Sequence, residues 1–357
     1  MKRELKEAIS LSKGALQTLA FRALRRRPKL RGMVYEITDL CNSRCRHCSI
    51  WRQKPAPNPL TPAEIEKIFQ DPFFRNLKEV IITGGEPMVR PDLEEIVFIL
   101  RKYIHPDAII SLSTNGILPE RAIKAIKTFL AAGMRLVAGV SLDGIGQKHD
   151  EIRGIKGNFQ KVDFLLHELK LLQNQYKDSF SVTAGFTFSP LTFGSMEEVK
   201  NYVESFGFYF LPQVYEEVSY YSNENGVRSD KSEELIKAIQ EFPPSFQKEM
   251  MLMAVKGLPF KFSCSSMNTF FLLHSNGDIS PCLRYSHLKL GNLKNQSIEE
   301  IWQSKAVKDA RKMIKNCNKC YNTWATGWSM ETWFPPFLPL LAKVYCLKKK
   351  SAKSKKQ

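Results

Sequence analysis

Cys41, Cys45 and Cys48 are spaced C-x3-C-x2-C directly after a short β-like run at 33–38. Three thiolates this close together can converge on an iron–sulfur cube and hold three of its four irons, leaving the fourth open to an exogenous ligand. A closed structural zinc site needs a fourth donor, and His47 inside the triplet can offer one. The triplet alone therefore leaves iron–sulfur and zinc chemistry both open. A second group lies far downstream. Cys264 and Cys282 flank the hairpin-like turn Ser275-Asn276-Gly277-Asp278, and Cys317 and Cys320 form a C-x2-C pair. Four thiols from two hairpin-like pieces can close a tetrahedral set, which by itself reads as a zinc ribbon.

The pattern around the triplet is regular. Strand-like runs at 33–38, 78–83, 108–113, 135–142, 180–188 and 208–214 are interleaved with helix-like stretches near 92–104, 119–132, 158–175 and 196–206. Thr61-Pro62-Ala63-Glu64 adds a helix start with a capping box and Pro at the first helical position. Strand and helix taking turns at this spacing predict parallel βαβ units, and six strands predict an α/β fold of the incomplete (β/α)6, TIM-like barrel type. In such folds ligands collect at the carboxyl ends of the strands. The segments there are the cysteine triplet, Thr83-Gly84-Gly85-Glu86-Pro87, Ser113-Thr114-Asn115-Gly116 and Ser141-Leu142-Asp143-Gly144. Each is a small or polar turn that lets backbone approach a ligand and offers hydroxyl and amide groups to a sugar or amino acid. Tyr215, Tyr220 and Tyr221 follow the sixth strand, where they either line a pocket or serve as packing. Beyond residue 215 the alternation stops, and a helix-like stretch at 298–308 carries Trp302.

Taken together, Cys41-x3-Cys45-x2-Cys48, Gly84-Gly85-Glu86-Pro87 and Ser141-Leu142-Asp143-Gly144 resemble the radical S-adenosylmethionine (SAM) superfamily, with ordered motifs over residues 32–215. His47 fills that family's aromatic position before the third cysteine, which weakens its case as a metal ligand. The resemblance implies that Cys41, Cys45 and Cys48 bind a [4Fe-4S] cluster whose open iron takes the amino and carboxylate groups of SAM. It implies that Gly84, Gly85 and Glu86 hold the methionine amino group, and that Ser113 and Ser141 face the ribose, with Asn115 in the same cofactor-binding set. Asp143 then assists at the ribose or points toward the substrate. Arg153, in the His149-Asp150 and Arg153-Gly154 segment, meets the SAM carboxylate or belongs to a surface helix-entry cluster. An electron delivered to the cluster would break the sulfonium C–S bond and give a 5′-deoxyadenosyl radical that removes a hydrogen from the substrate, while the protein orients the reactants and excludes water. Beside these motifs, Cys264, Cys282, Cys317 and Cys320 resemble the twitch domain, the shortened form of the seven-cysteine SPASM extension, and imply an auxiliary [4Fe-4S] cluster. Four protein thiols leave that cluster no open iron, which favours electron transfer over substrate ligation. After Cys320 only Cys346 remains, so the full SPASM pattern is not met.

The resulting organisation is a basic N-terminal helix (1–31), a radical SAM core barrel (32–215), a helical linker region (216–260), a small cysteine-rich twitch/SPASM-like auxiliary domain (261–325), and an aromatic, Pro-rich segment with a basic tail (326–357). The net charge of +17 is concentrated at the ends. Residues 1–31 hold ten Lys/Arg against Glu4 and Glu7, and residues 341–357 hold seven Lys and no acid. The body between is close to neutral, which argues against a nucleic-acid groove and for basic tails that meet an anionic membrane surface. Cysteines in tight groups fit a reducing cytosol, and no apolar run is long enough to span a bilayer. The expected protein is a cytoplasmic enzyme, whose basic ends read either as a helix covering one end of the domain and a packed flap with a solvated tail, or as peripheral anchors on the inner membrane surface. Its expected partners are a small-molecule, lipid or peptide substrate and a flavodoxin- or ferredoxin-like electron donor. A ribosomal-peptide maturase is the second reading, and a zinc-stabilised membrane-surface adaptor with a dead barrel is the reading from another class.

Overall fold

A strand covered on both faces reads as an apolar run, and β1 (Gly32–Thr38) is buried along its whole length. The computed structural model describes residues 30–221, 223, 232–240, 245–258, 264–315, 317, 322–332, 342, 344 and 345. The helix expected within 1–31, Cys320, Cys346 and most of the aromatic segment lie outside them. From β1 the sheet continues through β2 (Glu79–Gly84), β3 (Ile109–Thr114), β4 (Arg135–Ser141), β5 (Phe180–Phe188) and β6 (Tyr209–Val214), each strand parallel to the next. Between them run α1 (Pro62–Phe69), α2 (Leu93–Tyr103), α3 (Pro119–Ala131), α4 (Gln147–Arg153), α5 (Asn158–Gln175) and α6 (Met196–Ser205). This is the expected partial barrel. The capping box that opens α1 is formed, with Thr61 N–H donating to Glu64 Oε2 at 2.8 Å and Glu64 N–H to Thr61 Oγ1 at 3.3 Å.

On the other side of β1 the sheet gains β7 (Phe270–Leu273), parallel to β1, and then β8 (Asp278–Ser280) and β9 (Gly291–Asn292), both antiparallel. The hairpin expected at 275–278 is therefore present, and it extends the barrel's sheet to the order β6-β5-β4-β3-β2-β1-β7-β8-β9. Two compact units result. One comprises residues 30–228 and 270–307; the other comprises 1–29, 229–269 and 308–357. The first includes α9 (Ile298–Gln303), after α7 (Ser232–Gln240) and α8 (Phe246–Val255) of the second. The helix predicted over 298–308 is broken at Ser304, whose extended backbone ends α9 and whose Oγ accepts from Val307 N–H at 3.1 Å, starting α10 (Lys305–Lys315). The second unit is held by such contacts as Arg311 Nε–H to Met267 O at 2.7 Å and Ser265 N–H to Ser329 Oγ at 3.1 Å on α11 (Thr323–Thr332).

Side chains alternate across the parallel strands. Val80, Ile82, Ile110, Leu112, Leu136, Ala138, Val140, Val182, Ala184 and Phe186 are buried on the face that the helices cover. The opposite face carries Thr83, Ser111, Ser113, Gly139, Ser141, Thr183, Gly185 and Thr187, all only half-buried. The register sets Ser113 beside Gly139 and Ser141 beside Gly185, so each hydroxyl has a neighbour without a side chain. An open inner face of small polar groups is the consequence.

Glycine is required where strand ends approach the cysteine loop. A Cβ on Gly85 would lie 2.1 Å from Leu40 O, whereas one on Gly133 (φ +73°) would meet nothing within 4 Å. Gly85→Ala should therefore cost about 1–3 kcal/mol through steric displacement of backbone, plus loss of the loop's order, while Gly133→Ala should cost about 1 kcal/mol from its left-handed backbone alone. Urea midpoints of the two variants check this, and equal shifts would contradict it.

Candidate active site

The loop carrying Cys41, Cys45 and Cys48 leaves β1 at Thr38 and is tied down on two sides. On the first, Gly85 N–H donates to Thr38 O and Glu86 N–H to Leu40 O, both at 2.8 Å. A Cβ on Gly84 (φ +133°) would lie 2.0 Å from Thr38 O, so both glycines serve this close contact. On the second side, Arg44 N–H donates to Arg153 O at 3.1 Å and Arg46 N–H to Ile152 O at 2.9 Å. Ser43 Oγ also donates to Arg153 O, at 3.1 Å. Gly154 (φ +69°) ends α4 there, and a Cβ on it would lie 2.4 Å from Arg44 O. Asn223 Nδ2–H, Ser49 N–H and Trp51 Nε1–H complete the frame, donating to His47 O, Tyr221 O and Cys45 O respectively.

Cys45 is buried, and Cys41 and Cys48 are half-buried. Cys45 Sγ lies 3.1 Å from Ser43 Oγ and 3.7 Å from Arg153 Nη1, and Asn115 Nδ2 stands 4.0 Å from Cys41 Sγ. Burial pushes the Cys41 thiol up to about 11 and the Cys48 thiol up to about 12, so a bound cation is needed to hold them as thiolates. Among the described residues no three His, Cys, Asp or Glu side chains converge as one metal ion would require. His47 does not close a zinc knuckle; its Nε2 lies 3.8 Å from Asp143 Oδ2. Three thiols set around a fixed loop, one facing a guanidinium and a hydroxyl, fit a cluster in which each iron takes its own thiolate.

Glu86 is buried and faces inward to the turns. Its carboxylate accepts from Met88 N–H at 3.1 Å, Thr114 Oγ1–H at 2.9 Å and Asn115 N–H at 2.7 Å. Burial pushes it up to about 7 against the pull of those donors. Asn115 then reaches the cysteine loop, its Nδ2–H donating to Asn42 Oδ1 at 2.8 Å. Glu86 and Asn115 thus splice the second and third strand-end turns to the first. Ser113 and Ser141 stand on the open inner face.

Asp143 and Arg153, which the sequence left between cofactor, substrate and surface roles, face each other. Arg153 Nη2 lies 2.6 Å from Asp143 Oδ2, and their side chains are 8% and 0% exposed. Asp143 Oδ1 accepts from Thr187 N–H at 2.7 Å. Burial works against the Asp143 charge, but Arg153, His47 and the Thr187 N–H outweigh it and hold the carboxyl below its ordinary range. Asp150, next to His149, accepts from Phe159 N–H at 2.8 Å and so anchors the start of α5.

The sequence reading missed a buried chain on the same sheet. His274 Nδ1 lies 2.5 Å from Glu36 Oε2, and His274 Nε2 lies 2.9 Å from Ser280 Oγ, which donates to Ser286 O at 2.9 Å. With the Ser280 hydrogen committed, His274 Nε2 is the donor to Ser280 Oγ, and Nδ1 faces the Glu36 carboxylate. The signal was present: a lone carboxylate within the apolar strand 33–38. Among the auxiliary cysteines, Cys264 and Cys317 belong to one unit and Cys282 to the other.

Buried imidazoles give this site a pH signature. Burial lowers His47 and His149 to about 4 each. Unfolded, each titrates near 6.5, so stability is full above that pH and falls as pH drops toward 4, by up to about 3 kcal/mol per residue. His47→Phe should remove one such share from the metal-free protein. Urea unfolding at pH 6.5 and pH 4 checks it, and equal pH slopes for variant and wild type would contradict a neutral His47.

Comparison with known proteins agrees with this geometry. Residues 35–187 match the family model described as the radical SAM superfamily, and residues 264–321 match the one described as SPASM, an iron–sulfur cluster-binding domain. The chain is 30% identical over 176 residues to the Fe-coproporphyrin III synthase of Methanosarcina barkeri, covering 47% of this chain and 41% of that protein. It is 29% identical over 129 residues to the antilisterial bacteriocin subtilosin biosynthesis protein AlbA of Bacillus subtilis, covering 35% and 27%. The chain thus spans less than half the length of either relative. Streptococcus suis SuiB bound to S-adenosylmethionine shares the fold, with a TM-score of 0.62 at 16% identity over 88% of this chain and 78% of that one. On these matches and the partial barrel that carries the cysteine loop, residues 35–187 form a radical SAM superfamily domain and residues 264–321 a SPASM iron–sulfur cluster-binding domain.

Proposed function

We propose that this chain is an enzyme that reductively cleaves SAM and abstracts hydrogen from a substrate held against the open inner face of its barrel. Cys41, Cys45 and Cys48 would hold the [4Fe-4S] cluster, and Cys264, Cys282, Cys317 and Cys320 an auxiliary one that transfers electrons. The observation that carries this reading is the cysteine loop, fixed by the Gly84-Gly85 backbone at the end of β2 and the Ile152-Arg153 backbone at the end of α4, beside a half-buried face of hydroxyls and glycines. When bound, the reduced cluster and SAM supply a 5′-deoxyadenosyl radical. The chain's residues orient and shield. Ser113 and Ser141 would face the ribose, and Gly84 and Gly85 would border the methionine end. Glu86, its carboxylate already accepting three hydrogen bonds, would act by fixing these turns. The electron would come from a flavodoxin- or ferredoxin-like donor.

A peptide substrate is the second reading, and the similarity to a bacteriocin biosynthesis protein favours it over a lipid. Mass spectrometry of a short peptide encoded beside this gene, before and after incubation with the enzyme, distinguishes it from a small-molecule reaction. No described helix is long and apolar enough to cross a membrane. The basic ends would instead dock on an anionic surface, so removing residues 334–357 should weaken binding to anionic liposomes, and unchanged binding would exclude that tail as the anchor.

Anaerobic reconstitution should give about eight irons and eight sulfides per chain. With dithionite and SAM it should yield 5′-deoxyadenosine, and Cys45→Ala should reduce the yield to background. Two zincs without sulfide would point to the non-catalytic adaptor, and wild-type SAM cleavage by Cys45→Ala would sink the assignment.

A further inference from the structure

One buried guanidinium beside the cysteine loop meets both a thiol and a carboxylate. Arg153 Nη1 faces Cys45 Sγ at 3.7 Å, and Nη2 of the same guanidinium meets Asp143 Oδ2 at 2.6 Å. The ion pair is off hydrogen-bond angles, and Arg153 Nε likewise has no hydrogen-bond partner. A guanidinium this incompletely satisfied, and shielded from water, projects its charge toward the nearest thiolate. Asp143 opposes that charge from the far side.

We propose that Arg153 and Asp143 are positioning residues that set the reduction potential of the cluster held by the cysteine loop, Arg153 raising it and Asp143 restraining the rise. The inference rests on the cluster assignment proposed above. One electron added to the cluster adds one negative charge, so a fixed cation at Cys45 favours the reduced form and a fixed anion behind it partly cancels the effect. Buried charges are little screened by salt, so the balance belongs to the protein and not to the buffer. The distance is also fixed by construction. The Arg153 carbonyl accepts from Arg44 N–H and Ser43 Oγ–H, so the backbone carrying the guanidinium is bonded to the backbone carrying Cys45. Gly154 allows that approach, since a Cβ there would strike Arg44 O.

The two members of the pair predict shifts of opposite sign, which a purely structural role does not. The measurement is the midpoint potential of the reconstituted, SAM-free cluster, by redox titration monitored by electron paramagnetic resonance, in wild type, Arg153→Met, Arg153→Lys and Asp143→Asn. Only protein that holds the cluster contributes to the signal, so partial unfolding of a variant leaves the reading intact. Arg153→Met should lower the ratio of reduced to oxidised cluster at fixed solution potential about tenfold, which is about 59 mV for one electron. Asp143→Asn should raise the ratio, and Arg153→Lys, which keeps the charge, should stay nearer to wild type. Unmoved potentials, or shifts of the same sign for Arg153→Met and Asp143→Asn, overturn the inference. So does a loss of SAM affinity in Arg153→Met with an unmoved potential, because the guanidinium then serves the SAM carboxylate. A wild-type protein that takes up neither iron nor sulfide overturns the cluster assignment and this inference with it, whereas a loaded cluster with unmoved potentials overturns the inference alone.

Discussion

The backbone of the cysteine loop is hydrogen-bonded at once to the end of β2 and to the end of α4, and the candidate site depends on that constraint. Glycines 84 and 85 admit Thr38 and Leu40 on one side, and Gly154 admits Arg44 on the other. A Cβ at any of the three would meet carbonyl oxygen at 2.4 Å or less, so the approach is specified by the absence of a side chain. Within the loop Arg44 Nη1–H donates to Cys41 O at 3.2 Å and Ser43 O at 2.7 Å, so side-chain bonds to carbonyls add to the backbone ones.

The same constraint decides what the polar residues around the loop can do. Glu86 spends its carboxylate on Met88, Thr114 and Asn115, and Asn115 passes the connection to Asn42. Asp143 and Arg153 spend their charges on each other and on the vicinity of Cys45. Residues with the side-chain types of cofactor ligands thus act first to hold the turns in register. Polar capacity for a ligand is left on the inner face, where Ser113 and Ser141 sit beside glycines.

The hairpin after residue 270 brings Cys282 into the sheet that carries the cysteine triplet. β7 pairs in parallel with β1, the strand that delivers the cysteine triplet, and β8, which precedes Cys282, lies one strand further out. Phe73 and Phe271 both pack edge-on against Trp302, at 5.1 and 6.0 Å between ring centroids, so the stretch 298–303 is bound to the barrel as well.

Local pattern was enough for much of this. Strand and helix periodicity placed β1 to β6 and the helices α2, α3, α5 and α6 within a residue or two, because a parallel strand buried against helices needs apolar residues in runs or at every second position. The two-turn α4 was not anticipated, because a helix that short shows too little period. Cysteine spacing and the strand-end turns marked the site for the same reason, since loop chemistry is written in adjacent residues. Pairing across distance was not legible. Nothing local says that Asp143 meets Arg153, that Glu36 meets His274 across 238 positions, or that 270–292 extends the barrel's sheet. A buried charge selects its partner by the geometry of the folded chain, and a sheet edge accepts whichever strand tertiary packing brings to it. The sequence by itself determined the barrel, the cysteine loop and the residue types around it; only the tertiary structure decided which charges face the thiols and which face one another.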